Sequence, residues 1–126
     1  MQNRTKRPAV GAVLPHVPLR PVAFAVLASL ADGSRPGIDV LEEVNTTMPG
    51  RPLLGPGTLY RLMRELRQTG LITRTGRGAT RADGSRDERQ AFHALTPLGV
   101  AVLRAEVARL RRTIELAGPA LSTPER

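Results

Sequence analysis

Apolar residues recur at intervals of three and four positions in four stretches of the chain, which is the spacing of amphipathic α-helices. The pattern predicts helices over residues 21–31, 38–46, 56–69 and 97–117. Proline stands at the first position of the first, third and fourth of these, where its missing N–H is tolerated, and glycine stands one or two positions past their ends. Thr96 is placed to cap the fourth helix.

Short extended segments alternate with the predicted helices. Residues 71–75 and 90–95 predict two strands, joined by a loop that is rich in glycine and arginine and contains the turn signal Asp83-Gly84. Residues 53–54 form a further short extended piece. The order helix, helix, short strand, helix, strand, loop, strand is typical of the winged helix-turn-helix. The predicted fold class is therefore mainly α with a small β-hairpin: a winged helix-turn-helix followed by a C-terminal dimerisation helix.

The pattern divides the chain into four parts. Residues 1–18 carry basic charge and prolines without periodicity, which predicts a flexible basic arm. Residues 19–95 are expected to form the DNA-binding domain, residues 96–117 the dimerisation helix and residues 118–126 a tail.

The third predicted helix has two contrasting faces. One apolar stripe is expected to be buried and consists of Leu59, Leu62, Met63 and Leu66. A rotation of 100° per residue places a polar set on the opposite side, namely Gly57, Arg61, Arg64 and Gln68, with Tyr60 and Arg67 beside them. Glu65 interrupts this basic face and is spaced to pair with Arg61, which would withdraw that arginine from other contacts.

The last predicted helix carries a narrower apolar stripe, called here the α5 seam. Its members advance by alternating steps of three and four residues: Val100, Leu103, Val107, Leu110, Ile114 and Ala117. Two apolar positions in seven favour lengthwise packing on another helix, so a homodimer with twofold symmetry is predicted. The alternative is that the stripe packs on its own domain.

The distribution of charge along the chain indicates what kind of partner the protein binds. The net charge of +8 comes almost wholly from arginine, because Lys6 is the only lysine in the 126 residues. Residues 51–89 hold nine arginines and four acids, so most of the net charge lies in under a third of the chain. Such a cluster indicates a polyanionic partner, and the flat fork of arginine suits phosphate and guanine edges. The alternative is a general arginine-rich composition, which would not by itself produce the clustering.

These features predict double-stranded DNA as the partner, with the third helix in the major groove and the hairpin on the backbone. Side chains expected to contact base edges are Arg61, Arg64 and Gln68, and those expected to contact phosphate are Tyr60 and Arg67. Gly57 and Thr58 lie at the helix N-terminus, where the backbone can approach a phosphate. The loop arginines Arg77, Arg81 and Arg86 are expected to hold phosphate or enter the minor groove.

Other kinds of chemistry find little support. The chain has no cysteine, and His16 and His93 lie far apart, so neither a metal nor a cofactor is expected. It contains no nucleophile–base pair and no phosphate-loop motif, so no enzymatic activity is predicted. The basic start and residues 22–31 faintly resemble a secretion signal, but prolines interrupt the apolar stretch and the remainder is too short to span a bilayer. A cytoplasmic protein is therefore expected.

Motifs along residues 19–117 resemble those of PadR-family transcriptional regulators. The matching segments are Leu19-Arg20-Pro21, Leu54-Gly55-Pro56-Gly57-Thr58-Leu59-Tyr60-Arg61-Leu62, Gly70-Leu71-Ile72, Asp87-Glu88-Arg89 and Leu95-Thr96-Pro97-Leu98-Gly99. The single C-terminal helix is similar to that of the short-tailed members. The resemblance implies a dimeric repressor that binds a roughly palindromic operator and is released by a small, often aromatic effector at or near the dimer interface.

Two departures from the family pattern limit what the resemblance implies. Many members carry His-Gly-Tyr where this chain has Pro36-Gly37-Ile38, so contacts made there by the histidine or tyrosine are not carried over. Short-tailed members can stack ligands on a tryptophan of the interface helix, and this chain has none. An effector would therefore meet aliphatic walls and either Phe24 or Phe92.

A basic protein without operator specificity is the competing interpretation. An architectural or RNA-associated protein would share the net charge but bind all sequences almost equally, and its affinity would fall steeply with salt. Comparing an operator with scrambled DNA separates the two functions.

Overall fold

The computed structural model describes residues 8–48, 53–75 and 88–121. Within these ranges the helices are α1 (Val10–Val13), a 3-10 turn (Leu14–His16), α2 (Pro21–Ser29), α3 (Gly37–Thr47), α4 (Pro56–Gln68) and α5 (Pro97–Leu121). The strands are β1 (Arg35–Pro36), β2 (Ile72–Arg74) and β3 (Phe92–Leu95). The structure is a winged helix-turn-helix, which confirms the predicted fold class.

The hydrophobic core lies between α2, α3, α4, the strands and the first half of α5. Its buried members include Val26, Leu27, Val40, Val44, Leu59, Met63, Ile72 and Val102. The predicted inward face of α4 is confirmed, because Leu59, Met63 and Leu66 are buried and Leu62 is half-buried against the same cluster. Burial of this stripe fixes the rotation of α4 about its axis and thereby decides which residues face outward.

The small sheet has the strand order β1-β3-β2, with both pairs antiparallel. The short strand that precedes the hairpin was expected at residues 53–54, and this expectation was wrong. Leu53 is instead exposed, and the free edge of β3 pairs with residues 35–36, which enter α3 directly. Pro36 fits at an edge because it has no N–H to donate to a further strand. Gly37 then passes so close to the carbonyl oxygen of Glu88 that a Cβ atom would collide with it.

The N-terminal segment departs from the expected flexible arm as far as the structure describes it. Residues 10–16 form a helical turn that contacts α5, and Val13 is buried in the core. The backbone N–H of Leu19 donates to a carboxylate oxygen of Glu106 at 3.2 Å. Of the apolar residues in this turn only Val13 is buried, while Val10 and Leu14 are exposed, so the turn depends on its contact with α5 rather than on an apolar spacing of its own. Residues 1–7 lie outside the described part of the chain.

The end of α4 and the start of α5 are formed by the residues that the sequence predicts. At the end of α4, Leu71 N–H donates to Leu66 O and Gly70 N–H to Arg67 O, with Gly70 at a φ of 86°. This is a Schellman ending, which requires a left-handed residue where the glycine stands. Thr96 caps α5 through its hydroxyl, which accepts the N–H of Gly99 at 2.9 Å.

Helix α5 was expected to end at about residue 117, but it continues to Leu121 through Gly118 and Pro119. Proline deletes only one backbone donor, and this loss comes within the last turn of a 25-residue helix, where carbonyl groups are already accessible to water. The domain boundary predicted at residue 117 therefore falls inside the helix.

We expect Gly99→Ala to lower the free energy of unfolding by about 1–3 kcal/mol, because a Cβ there would overlap the carbonyl oxygen of Leu71. Gly118→Ala is the matched control on the same helix: no heavy atom of the described residues lies within 4 Å of its Cβ position, so it should raise stability by up to about 1 kcal/mol. Urea unfolding followed by circular dichroism measures both. Equal effects of the two substitutions would contradict the close approach of α5 to β2.

Candidate nucleic-acid interface

The outer face of α4 is exposed as the helical rotation predicts. Gly57, Arg61, Arg64 and Gln68 are all exposed. Within the described residues neither Arg61 nor Arg64 forms an ion pair. The alternative pairing of Arg61 with Glu65 is not formed, since Glu65 instead lies 3.8 Å from the guanidinium of Arg20. Two arginines are thus presented side by side, one turn apart, with their donors available.

This exposed face begins at the N-terminus of α4. Gly55 is its N-cap, Pro56 is its first residue, and the first intrahelical bond runs from Leu59 N–H to Gly55 O. The exposed N–H groups of Gly57 and Thr58 therefore precede the hydrogen-bonded ladder. The first turn carries no acid and no side-chain cap, so the positive end of the helix dipole is left open to an anion.

Two residues of α4 that were predicted to contact phosphate are engaged within the protein instead. Tyr60 is half-buried and packs against the core cluster. Arg67 donates both terminal nitrogens to Glu88, Nη1 to Oε1 at 3.2 Å and Nη2 to Oε2 at 2.9 Å, and its side chain is only 19% exposed. The expectation for Arg67 missed this pairing because its partner comes from the far end of the hairpin, 21 residues away.

Glu88 is the centre of a cluster at the base of the hairpin, which we call the hairpin-base cluster: Arg67, Arg74, Glu88 and His93. Besides Arg67, the Nη2 of Arg74 lies 2.5 Å from its Oε2. Burial would raise the pKa of the Glu88 carboxyl, but the hydrogen bonds and charges of Arg67 and Arg74 outweigh it and hold that pKa below its usual value. The carboxylate is therefore ionised at neutral pH and binds two arginines at once.

His93 completes the cluster from β3 and is fully buried. Its Nε2 lies 3.4 Å from the backbone carbonyl of Glu88 and 3.7 Å from Oε1. Burial lowers the pKa of His93, the carbonyl and charge of Glu88 oppose this, and the two arginine charges add to the lowering. The imidazole is thus uncharged at neutral pH and serves as a packed core side chain.

We expect the free energy of unfolding to fall as the pH is lowered through about 6.5, the pKa of an unfolded histidine. Because the folded pKa of His93 lies lower, the unfolded chain binds more protons in this range, and acid favours unfolding. Urea unfolding at about pH 7.5, 6.5 and 5.5 measures the trend. His93→Gln should flatten it. A trend that survives His93→Gln would assign it to other groups.

The predicted hairpin arginines Arg77, Arg81 and Arg86 lie outside the described residues, as does the turn signal Asp83-Gly84. Their contact with phosphate remains a prediction. Of the two strands that flank this loop, β2 contacts α4, and Glu88, which leads into β3, pairs with Arg67 of α4.

The buried face of helix α5 and the α5 seam are neighbouring faces of the same helix. The residues of α5 that face the core are Gly99, Val102 and Glu106, and all three are buried. The α5 seam lies beside this stripe: Val100, Leu103, Val107 and Leu110 are half-buried, and Ile114 and Ala117 are exposed. The extension of the helix adds Leu121, also exposed, four positions past Ala117. The C-terminal members of the seam, Ile114 and Ala117, therefore do not pack on the described part of their own domain.

A concave pocket of about 410 Å³ lies between α2, α3 and α5. Its walls are largely apolar and include Phe24, Ala28, Met48 and Leu110, which is also a member of the seam. The Glu106–Arg109 pair forms one polar edge, with two contacts of 2.8 Å. Of the two phenylalanines expected near an effector, the structure places Phe24 here and Phe92 in β3.

Residues 8–48, 53–75 and 88–121 contain no helix that is long and apolar enough to cross a membrane. The same ranges bring together no group of three side chains able to hold a metal ion.

Sequence comparisons give no relative, since neither a family model nor a curated protein matches the chain. Structural similarity is clear. A PadR-family regulator from Clostridium difficile matches with a TM-score of 0.64 at 16% identity, over 82% of this chain and 100% of that one. A PadR-like regulator from Bacillus cereus matches with a TM-score of 0.61 at 15% sequence identity, over 82% of this chain and 94% of that one. The candidate transcriptional regulator ytfH from Salmonella typhimurium matches with a TM-score of 0.56 at 28% sequence identity, over 86% of this chain and 83% of that one. The chain thus has the winged-helix fold of PadR-family transcriptional regulators.

Proposed function

We propose that the protein is a homodimeric transcriptional regulator that binds double-stranded DNA by sequence, represses from a roughly palindromic operator in the cytoplasm, and is released by a small-molecule effector. The observation that carries the proposal is the face of α4 with Arg61, Arg64 and Gln68 exposed and its reverse side buried. Regulator neighbours of the same fold support it.

The exposed residues of α4 suit base readout. Arginine can donate two hydrogen bonds to O6 and N7 of guanine, and glutamine can pair with N6 and N7 of adenine. Each such pair discriminates by about 1–3 kcal/mol against the wrong base. Gly57 and Thr58 would hold a phosphate through their free N–H groups, which fixes the position of the helix in the groove.

The hairpin loop would supply contacts that do not read sequence. Arg77, Arg81 and Arg86 can neutralise phosphates beside the groove entered by α4. Tyr60 and Arg67 are removed from our set of phosphate contacts, because one is packed on the core and the other is bound to Glu88.

Dimerisation through the α5 seam would cover two of the exposed apolar side chains of that helix. Ile114 of the seam and Leu121, four positions past its last member, are exposed, and a second copy would cover them. A twofold axis through the seam gives two recognition helices and hence an inverted repeat, with half-site centres about 34–36 Å apart or a multiple of that spacing.

The pocket that contains Phe24 and Leu110 is the site we assign to the effector. Its walls suit a small apolar molecule, and Leu110 connects it to the seam. A ligand there would change how two subunits pack and hence the separation of their recognition helices. Repression with release by ligand is the sign of regulation that the resemblance to PadR-family regulators implies.

Selection of bound DNA from a random pool tests the proposal as a whole. We expect enrichment of an inverted repeat with the spacing given above. The net charge of +8 favours a second candidate, a basic architectural or RNA-associated protein. That candidate predicts no enriched sequence, nearly equal affinity for all DNA and a steep loss with salt.

A further inference from the structure

The hairpin-base cluster joins three separate elements through one carboxylate. Arg67 comes from α4, Arg74 from β2 and Glu88 from the residues that lead into β3. The neighbouring backbone is fixed as well, since Ile38 N–H donates to Arg89 O at 2.9 Å and Gly37 N–H to Ala91 O at 3.1 Å. Glu88 is therefore held in place from two sides while it binds the arginines.

The two arginines lie next to the surface proposed to meet DNA. Arg67 is three residues from Arg64 on α4, and Arg74 is the last residue of the strand that leads into the hairpin loop. Their side chains are 19% and 29% exposed, so they are not deeply enclosed. Without the carboxylate, both guanidinium groups would be available to phosphates beside the groove proposed for α4.

A phosphate contact adds affinity for every sequence equally. Each one makes the logarithm of the binding constant fall by about 0.9 per unit of log salt concentration and contributes no discrimination between bases. Since non-specific sites greatly outnumber operators, extra phosphate contacts lower the share of protein that is bound at its operator.

We propose that Glu88 is a specificity-determining residue, which withholds Arg67 and Arg74 from DNA phosphates and sets the angle between the recognition helix and the hairpin. DNA is then read through Arg61, Arg64 and Gln68 with little non-specific background. This inference rests on the proposed DNA-binding function and adds a residue that contacts no base.

Glu88→Gln tests the inference, because it keeps the shape of the side chain and removes its charge. We expect affinity for scrambled DNA at about 50 mM salt to rise roughly three- to thirtyfold, with a salt slope steeper by about 0.9–1.8. The ratio of operator to scrambled affinity should fall at least about threefold. Glu42→Gln is the control, because it makes the same change in net charge at an exposed position of α3. Equal behaviour of the two variants would overturn the inference.

Arg67→Gln, which leaves Glu88 in place, keeps the test decisive if Glu88→Gln folds poorly. Arg67→Gln should leave the salt slope on scrambled DNA unchanged, because Arg67 contacts Glu88 rather than phosphate. A slope shallower by about 0.9 would overturn the inference. Adding Arg67→Gln and Arg74→Gln to Glu88→Gln should restore the wild-type slope, and a slope that stays steep counts against it.

The outcomes also separate this inference from the proposed function. A wild-type protein that shows no operator preference contradicts the proposed function itself. A wild-type protein with clear preference, together with an unaltered Glu88→Gln variant, contradicts only the role of Glu88.

Discussion

Replacing Ile114 with glutamate is expected to turn the dimer into a monomer and to lower operator affinity by about 10²–10⁴-fold, the range lost when two linked binding modules act singly. Ile114 is 66% exposed in the isolated subunit, so a carboxylate there costs the fold little. In a twofold dimer the same position would bury two carboxylates in an apolar seam without partners, which strongly disfavours association. Light scattering measures the change in mass and a titration on operator DNA measures the affinity.

Leu116→Glu provides the matched control on the same helix. Leu116 is 79% exposed and lies two residues, or about 200°, from Ile114, which is off the seam. This variant should remain dimeric and bind the operator as the wild type does. If Ile114→Glu stays dimeric, or if both variants dissociate alike, the interface does not run along the α5 seam.

The helical part of the fold could be predicted from the sequence because its signals are local. The apolar stripe of α4, the proline at its first turn and the glycine beyond its end each act within a few residues. The stripe gave the correct rotation of the helix, and with it the exposure of Arg61, Arg64 and Gln68. Residue identity and spacing alone decide these features.

The errors concern contacts between distant parts of the chain. The strand β1 is two residues long and exists because the edge of β3 needs a partner, which no local pattern of residues 35–36 indicates. The first helical turn is stable because Val13 packs on the core and α1 contacts α5, which no pattern within residues 10–16 reveals. Pairing and packing over long distances override weak local preferences.

The hairpin-base cluster shows the same limit within the candidate site. Arg67 belongs by helical rotation to the edge of the surface proposed to face DNA, and only the position of Glu88 in space reveals that its side chain is already paired. The one signal available was the segment Asp87-Glu88-Arg89, which resembled the family but carried no indication of its partner. A charged residue on the correct face of a helix is therefore a candidate contact only once its neighbours from other elements are known.

Replacing Arg64 with alanine is expected to weaken operator binding by about 1–3 kcal/mol, or roughly 5- to 150-fold, and to relax the choice of base at one position. Arg64 is exposed in the middle of the outer face of α4 and forms no ion pair with any described residue, so all its donors are available to a base. Its removal disturbs no internal contact, and scrambled DNA should be bound almost as well as before.

Arg112→Ala is the control for loss of one positive charge, because Arg112 is exposed on α5 away from both α4 and the seam. It should change operator and scrambled affinity little and equally. Titrations on both DNAs at two salt concentrations, with the selected operator and its single-base variants, distinguish readout from general attraction. An Arg64→Ala variant that loses the same factor on both DNAs would reassign Arg64 to phosphate, and sequence would then have to be read by Arg61 and Gln68 alone.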